Sequence, residues 1–189
     1  MFEIKTGVIG VGSMGKNHAR IYSEISNLVG VADPDENQGR TLAGKFGIKW
    51  FSDYKQMLSS VDAVSIAVPT FMHMEVAREV AEAGVHMLVE KPLSGNSEDA
   101  ERIMNFCSKA ELVLAVGHVE RFNPVVTKIT EMINSESLGK ILTLTSRRFS
   151  SFPDRIRDVG VLFDLTIHDV DIICSLAQSE VVSVSVSGG

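Results

Sequence analysis

Cysteine is nearly absent: Cys107 and Cys174 are the only two in 189 residues. Neither lies in a CxxC pair, which excludes the usual zinc-knuckle and redox motifs. Each falls on an apolar helical stripe (Ile103, Phe106, Cys107, Ala110 and Ile173, Cys174, Ala177), so both are expected to be small buried residues. Basic charge is also scarce. Eighteen Lys and Arg against 24 Asp and Glu give a net charge of −6, the wrong sign for non-specific nucleic-acid binding. No apolar run approaches the ~20 residues that span a bilayer. Met1-Phe2-Glu3-Ile4-Lys5 carries charge where a signal peptide needs its apolar region. The expectation is a cytoplasmic protein with neither nucleic-acid nor membrane partner.

What is present is ordinary globular composition, 44% hydrophobic and 22% charged, enough for a core. Over the first ~120 residues short apolar runs alternate with helical periodicity. Strands are predicted at Ile4–Gly10, Leu28–Asp33, Lys49–Phe51, Ala63–Val68, His86–Val89 and Leu112–Val116. Helices are predicted at Met14–Ile25, Glu36–Phe46, over the stripe Met72, Val76, Val80, Ala83, and at Ser97–Ala110 with a cap at Ser97 or Asn96. Ala63–Val68 has almost no polar interruption, as in a strand buried on both faces. The βαβα order argues for an α/β fold: a doubly wound parallel sheet with helices on both faces.

The pattern changes near Phe122-Asn123-Pro124, so one domain is placed at 1–120 and a second at 121–189. The second reads as α+β: a helix Val125–Ile133, an alternating strand Ile141–Phe149, a loop rich in Arg, Ser and Pro, a very apolar helix Val161–Ala177, and a strand Val181–Ser187. Two strands are rarely stable alone, and Gly188-Gly189 directly follows one. The expectation is that this domain is incomplete as it stands, through truncation or completion by another chain.

Gly10-Val11-Gly12-Ser13-Met14-Gly15 matches G-x-G-x-x-G. By itself the match is weak, but it follows a predicted strand and opens a predicted helix. There Gly10 permits a tight turn, Gly12 lets a pyrophosphate approach the backbone, and Gly15 lets helix pack on strand. The N–H groups of the helix start, from Ser13 and Met14 onward, face the phosphates. Asp33, 18 residues after Gly15, suits the ribose hydroxyls and repels a 2′-phosphate, favouring NAD over NADP. Its competing role is a turn residue in Asp33-Pro34-Asp35.

Lys91, in Glu90-Lys91-Pro92, follows the fifth strand, at the sheet edge where ligands of such folds bind; Pro92 restricts it to an extended conformation. Asp164 and His168, spaced i, i+4 in an apolar helix, would be costly there unless paired or facing a polar ligand. A carboxylate beside an imidazole is also what a general base uses. A structural Asp–His pair is the alternative. A metal site using His168 with Asp164 or Asp171 lacks a third ligand, so no metal is expected. Pro69, Thr70 and His73, after the fourth strand, and Glu90 are placed beside the cofactor. His73 and His118 have structural roles as their alternative.

Taken together, Gly7–Gly15, Ala67-Val68-Pro69-Thr70, Glu90-Lys91-Pro92, Gly117–Pro124 and Asp158–Asp169 resemble the Gfo/Idh/MocA family of NAD(P)-dependent oxidoreductases of sugars, inositols and sugar nucleotides. They occur in family order along the whole chain. The resemblance implies a Rossmann domain followed by a C-terminal α/β domain with a large open sheet that supports homo-oligomerisation. It also implies that Lys91, Asp164 and His168 meet at the nicotinamide. Arg147–Gly160, Gly117–Pro124 and Gly160–Asp169 look like UDP-N-acetylhexosamine 3-dehydrogenases within the family. Four arginines in eleven residues, from Arg147 to Arg157, point the same way, because guanidinium suits phosphate. Arg121, Asn123, Arg148, Arg155 and Arg157 are accordingly candidates for substrate binding; arginines in a solvated loop, or paired with acids, are the alternative. The implied reaction is NAD-dependent oxidation of a sugar hydroxyl, at C3 of a UDP-N-acetylhexosamine. Oxidation of an inositol or free sugar, and a non-catalytic NAD-binding fragment, are its rivals. Either Lys91 or His168 could be the base.

Overall fold

A computed structural model describes residues 4–149, 160 and 162–188. It divides into two compact units, 1–117 and 118–189.

The first unit is built on six parallel strands: β1 (Lys5–Ile9), β2 (Asn27–Ala32), β3 (Lys49–Phe51), β4 (Ala63–Ile66), β5 (His86–Val89) and β6 (Leu114–Val116). Their spatial order is β3-β2-β1-β4-β5-β6, and every pairing is parallel. The helices between them are α1 (Ser13–Ile25), α2 (Glu36–Phe46), the short α3 (Lys55–Leu58), α4 (His73–Glu82) and α5 (Ser97–Lys109). All six strands and the four longer helices coincide with the sequence reading to within a few residues; α3 and a 3-10 turn at Thr70–Met72 are additional.

Burial explains why these runs became strands. Successive strand residues point to opposite faces. Val8 joins a core with Leu28, Val31, Ala19 of α1 and Leu42 of α2, while Ile9 joins a second core with Ile66, Val80 of α4 and Ile103 of α5. Both faces are covered, so alternation of polar and apolar residues disappears. Helix boundaries follow local chemistry. Asp35 caps α2 by accepting from Gln38 N, and Gly47 closes it at φ +66°. Asn96 caps α5 by accepting from Asp99 N.

The chain leaves β1, turns back on itself and starts α1, while β4 lies on the other side of β1. The strand order therefore reverses between β1 and β4, and the carboxyl ends of those strands form the crevice where such sheets bind ligands.

The second unit contains a 3-10 turn (Val119–Phe122), α6 (Pro124–Asn134) and α7 (Ile167–Ala177). Asn123 caps α6, with its Oδ1 accepting from Val125 N at 3.1 Å and Pro124 in the first turn. Gln178 Nε2 donates to Asn134 Oδ1 at 2.8 Å, tying the end of α7 to the end of α6.

Three expectations change in this unit. Neither 141–149 nor 181–187 forms a hydrogen-bonded strand among the described residues. A β-pattern needs a partner edge, and none of the described residues supplies one; the alternating apolar side chains of Val182, Val184 and Val186 are exposed. Within the predicted helix 161–177, the first described turn is not α-helical. Leu162–Thr166 is wound as a π-turn, with Phe163 N and Asp164 N both donating to Gly160 O at 3.0 Å. Asp164 and His168 therefore lie on differently wound turns, not on one regular α-helical face. Cys107 is buried as expected, but Cys174 is exposed, because the face of α7 that carries it is not covered within this unit.

Candidate active site

The turn after β1 has the geometry the glycines imply. Gly10 is at φ +86°, and its N–H donates to Ala32 O at 2.8 Å. A Cβ on Gly15 would stand 1.8 Å from Gly10 O: only glycine lets α1 start this close to β1. A Cβ on Gly12 would meet nothing within 4 Å. Gly12 is the N-cap of α1, with no side-chain cap and no acid in the first turn, so the helix start offers its amides and dipole to a ligand. Ser13 and Met14 are exposed beside it. Open space over Gly12 and an uncapped helix start fit a dinucleotide pyrophosphate.

Asp33 braces this turn. Its Oδ2 accepts from Val11 N at 2.8 Å and its Oδ1 from Asp35 N at 2.8 Å. Each oxygen keeps a lone pair for a ribose hydroxyl, so the carboxylate serves as turn residue while remaining an acceptor at the end of β2.

At the end of β4, Pro69 is exposed and Thr70 half-buried, with Met72 N donating to Pro69 O at 2.9 Å. His73 does not line the crevice as expected. It is 1% exposed, with Nδ1 at 2.9 Å from Pro92 O and Nε2 at 3.0 Å from Val68 O; as the first residue of α4 it is pulled under the loop. Glu90 is also turned inward. It is 7% exposed, with Oε1 at 2.7 Å from His18 Nε2 and Oε2 accepting from Lys91 N at 3.2 Å. Lys91 is half-buried, and the Lys91–Pro92 peptide is cis.

In the second unit Arg121 and Arg148 have acidic partners. Arg121 grips Asp171 with two hydrogen bonds, Nε to Oδ2 at 2.8 Å and Nη2 to Oδ1 at 2.6 Å. His118 Nδ1 lies 3.7 Å from Asp171 Oδ2, beyond hydrogen-bond reach. Arg148 Nε and Nη2 donate to Asp169 at 2.8 and 3.3 Å, and Ser146 Oγ donates to Asp169 Oδ1 at 2.6 Å. The Arg148 guanidinium holds the Asp169 carboxyl below its ordinary range; burial opposes this and Ser146 reinforces it. Two of the presumed phosphate ligands thus already carry intramolecular carboxylates, and Asn123 is a helix cap. Arg155 and Arg157 lie outside the described residues. No group of three or more His, Cys, Asp or Glu among the described residues is placed to hold a metal ion. None of their helices is long and apolar enough to cross a membrane.

The sequence reading overlooked His18. Two signals mark it: His18 and Tyr22 are i, i+4 on α1, and Ser65 is the one polar residue inside β4. The fold joins them. His18 Nδ1 is 3.1 Å from Ser65 Oγ, and Ser65 Oγ donates to Tyr22 Oη at 2.8 Å.

A doubly wound parallel sheet, a glycine turn opening α1 and an acid at the end of β2 together define a dinucleotide-binding Rossmann domain. The chain belongs to the Gfo/Idh/MocA oxidoreductase family: the model described as an oxidoreductase family with an NAD-binding Rossmann fold matches residues 4–118, and the GFO/IDH/MocA C-terminal domain matches residues 126–189. It is 36% identical over 188 residues to the UDP-N-acetylglucosamine 3-dehydrogenase of Acidithiobacillus ferrooxidans, covering 100% of this chain and 59% of that protein. It is 34% identical to the myo-inositol 2-dehydrogenase of Thermotoga maritima, covering 98% and 58%. A solved structure of the Acidithiobacillus enzyme superposes with a TM-score of 0.88 at 36% identity, over 100% of this chain and 62% of that one. GenD2 from gentamicin A biosynthesis, solved in complex with NAD, gives 0.83 at 27% identity, over 93% and 54%. The chain thus spans about three-fifths of the length of the curated relatives it matches.

Proposed function

We propose that the protein is an NAD-dependent oxidoreductase of a sugar hydroxyl, acting at C3 of a UDP-N-acetylhexosamine. The observation that carries the reading is the open, uncapped start of α1 over Gly12, braced by Asp33. Gly10, Gly12 and Gly15 shape the turn, and the amides from Ser13 and Met14 onward take the pyrophosphate. Asp33 accepts from the adenosine ribose, and its negative charge repels a 2′-phosphate, which favours NAD. Pro69 and Thr70 border the cofactor from the end of β4. NAD, when bound, supplies the acceptor for the carbinol hydride.

The chain supplies the proton chemistry. His168 takes the hydroxyl proton as general base. Lys91 donates a hydrogen bond to the developing alkoxide and stabilises its charge. Asp164 orients His168 or the substrate. The whole-chain similarity to a UDP-N-acetylglucosamine 3-dehydrogenase supports the nucleotide sugar, with Arg155 and Arg157 as the diphosphate-binding pair. Homo-oligomerisation in the cytoplasm belongs to the same reading.

A second reading, oxidation of an inositol or free sugar, is favoured by one observation: Arg121 and Arg148 are committed to Asp171 and Asp169, which leaves less cationic surface for a diphosphate. The protein expressed from its full open reading frame discriminates. NAD reduction is measured with UDP-N-acetylglucosamine, then with myo-inositol and glucose. The proposal expects turnover with the nucleotide sugar, reduced by Arg155→Ala and Arg157→Ala. Turnover with polyols alone, unaffected by those changes, establishes the second reading. NAD binding with silence on every substrate refutes both.

A further inference from the structure

Lys91 lies between two residues that histidines hold, the half-buried His18 and the buried His73. On its N-terminal side, the Glu90 carboxylate is fixed from three directions. His18 Nε2 approaches Oε1 at 2.7 Å, Lys91 N donates to Oε2 at 3.2 Å, and the floor is Gly117, where an added Cβ would stand 3.0 Å from Oε2. His18 is itself held, through Ser65, to Tyr22. On the C-terminal side, Pro92 O faces His73 Nδ1 at 2.9 Å, and His73 Nε2 faces Val68 O. His18 belongs to α1, which begins at the glycine turn, and His73 to α4, which follows the Pro69-Thr70 turn. Both segments assigned to the cofactor are therefore hydrogen-bonded to the residues flanking Lys91.

We propose that His18 and His73 are positioning residues for Lys91, with His18 decisive; the inference rests on the role assigned to Lys91 above. A carboxylate buried as deeply as Glu90 needs partners in place. Among the described residues, loss of His18 leaves it one backbone amide. It then turns toward water or another donor, which reorients the peptide that carries Lys91. Fold stability alone does not explain the pair, because a buried ion pair is often replaced by apolar residues without loss of stability. What apolar residues do not provide is a directed tie from the phosphate turn to the lysine.

The test uses the protein from its full open reading frame and the variants His18→Gln, His18→Leu, His73→Leu and the double variant His18→Leu/Glu90→Leu. Four quantities are read: melting temperature, NADH affinity by fluorescence, kcat and KM for the sugar, and the NMR signal of Lys91 after reductive 13C-methylation, assigned with Lys91→Arg. His18→Leu should lower kcat by about 10²-fold, the effect of misplacing a reacting group by about an ångström, with NADH affinity within about twofold. Its Lys91 signal should move toward that of an exposed lysine. His18→Gln, which can still donate to Glu90, should recover much of both, and His73→Leu should shift the signal in the same direction. The double variant should regain melting temperature but not turnover. The proposal is overturned if these variants change only melting temperature and leave kcat and the Lys91 signal of the folded protein as in wild type. If the wild type oxidises no sugar, the catalytic reading fails, while the Lys91 signal still decides the positioning role.

Discussion

Two alanine substitutions three residues apart in the same turn, at Gly12 and Gly15, should have opposite effects. In Gly15→Ala, the new Cβ would sit 1.8 Å from Gly10 O. Contacts of this kind are not seen below about 3.0 Å, so backbone must move by about 1.2 Å (3.0 − 1.8 Å). Overpacking against backbone costs about 3 kcal/mol, which lowers the melting temperature by about 10 °C. In Gly12→Ala, the Cβ meets nothing within 4 Å, and φ −65°, ψ −156° is extended backbone open to alanine. Stability should rise slightly, by about 0.5 kcal/mol, through a less flexible unfolded chain. The same methyl occupies the space over the α1 start and holds a phosphate away from its amides. Loss of one such charged hydrogen bond costs about 2 kcal/mol, or about 30-fold in NADH Kd. Thermal melting and NADH fluorescence titration measure the two effects. A Gly12→Ala protein that melts early yet binds NADH normally would refute the reasoning, as would a Gly15→Ala protein as stable as wild type.

Other expectations follow from individual contacts. Lys91→Met should leave NADH affinity nearly intact and lower kcat by about 10²- to 10³-fold, as for loss of one alkoxide-stabilising donor; unchanged turnover removes Lys91 from the mechanism. Because Asp169 is held below its ordinary value of 3.8, its bond to Arg148 stabilises fully above that value and fades as pH falls below it. Arg148→Ala should therefore cost about 1 kcal/mol near neutral pH, a solvent-screened figure, with the gap to wild type closing below pH 3.8 in melts taken down the pH scale. A gap that stays constant to low pH contradicts the pairing. Arg121→Ala strips two hydrogen bonds from Asp171, whose side chain is 10% exposed, and should destabilise the protein more than Arg20→Ala, which breaks an exposed pair with Glu24; melting curves rank the two.

The Rossmann half was legible because its signals are local and redundant. Strands buried on both faces lose polar alternation, as Ala63–Ile66 shows. Helix stripes, caps at Asp35 and Asn96, and the closing Gly47 mark boundaries within a few residues. The turn from Gly10 to Gly15 needs only its own glycines and the strand before it. The C-terminal half was read less well because its signals are conditional. The alternation over 141–149 and 181–187 is a strand pattern, but a strand exists only with a hydrogen-bonded neighbour, and that neighbour is not among the described residues. The helical period around Asp164 gave no warning of the π-turn, which widens the winding by one residue without altering the apolar pattern.

The site divides in the same way. Sequence alone singled out the residues proposed to carry chemistry: the glycine turn, Asp33 at the end of a strand, Lys91 after the fifth strand, and an acid and a histidine in an apolar helix. Those choices rest on residue type and spacing, which the chain states directly. Tertiary structure alone decided what each group touches. It turned Glu90 and His73 inward, gave Arg121 and Arg148 to Asp171 and Asp169, and joined His18 to a carboxylate 72 residues away. Distant polar groups become partners only when burial removes water and leaves them no other acceptor or donor, and no one-dimensional pattern records that.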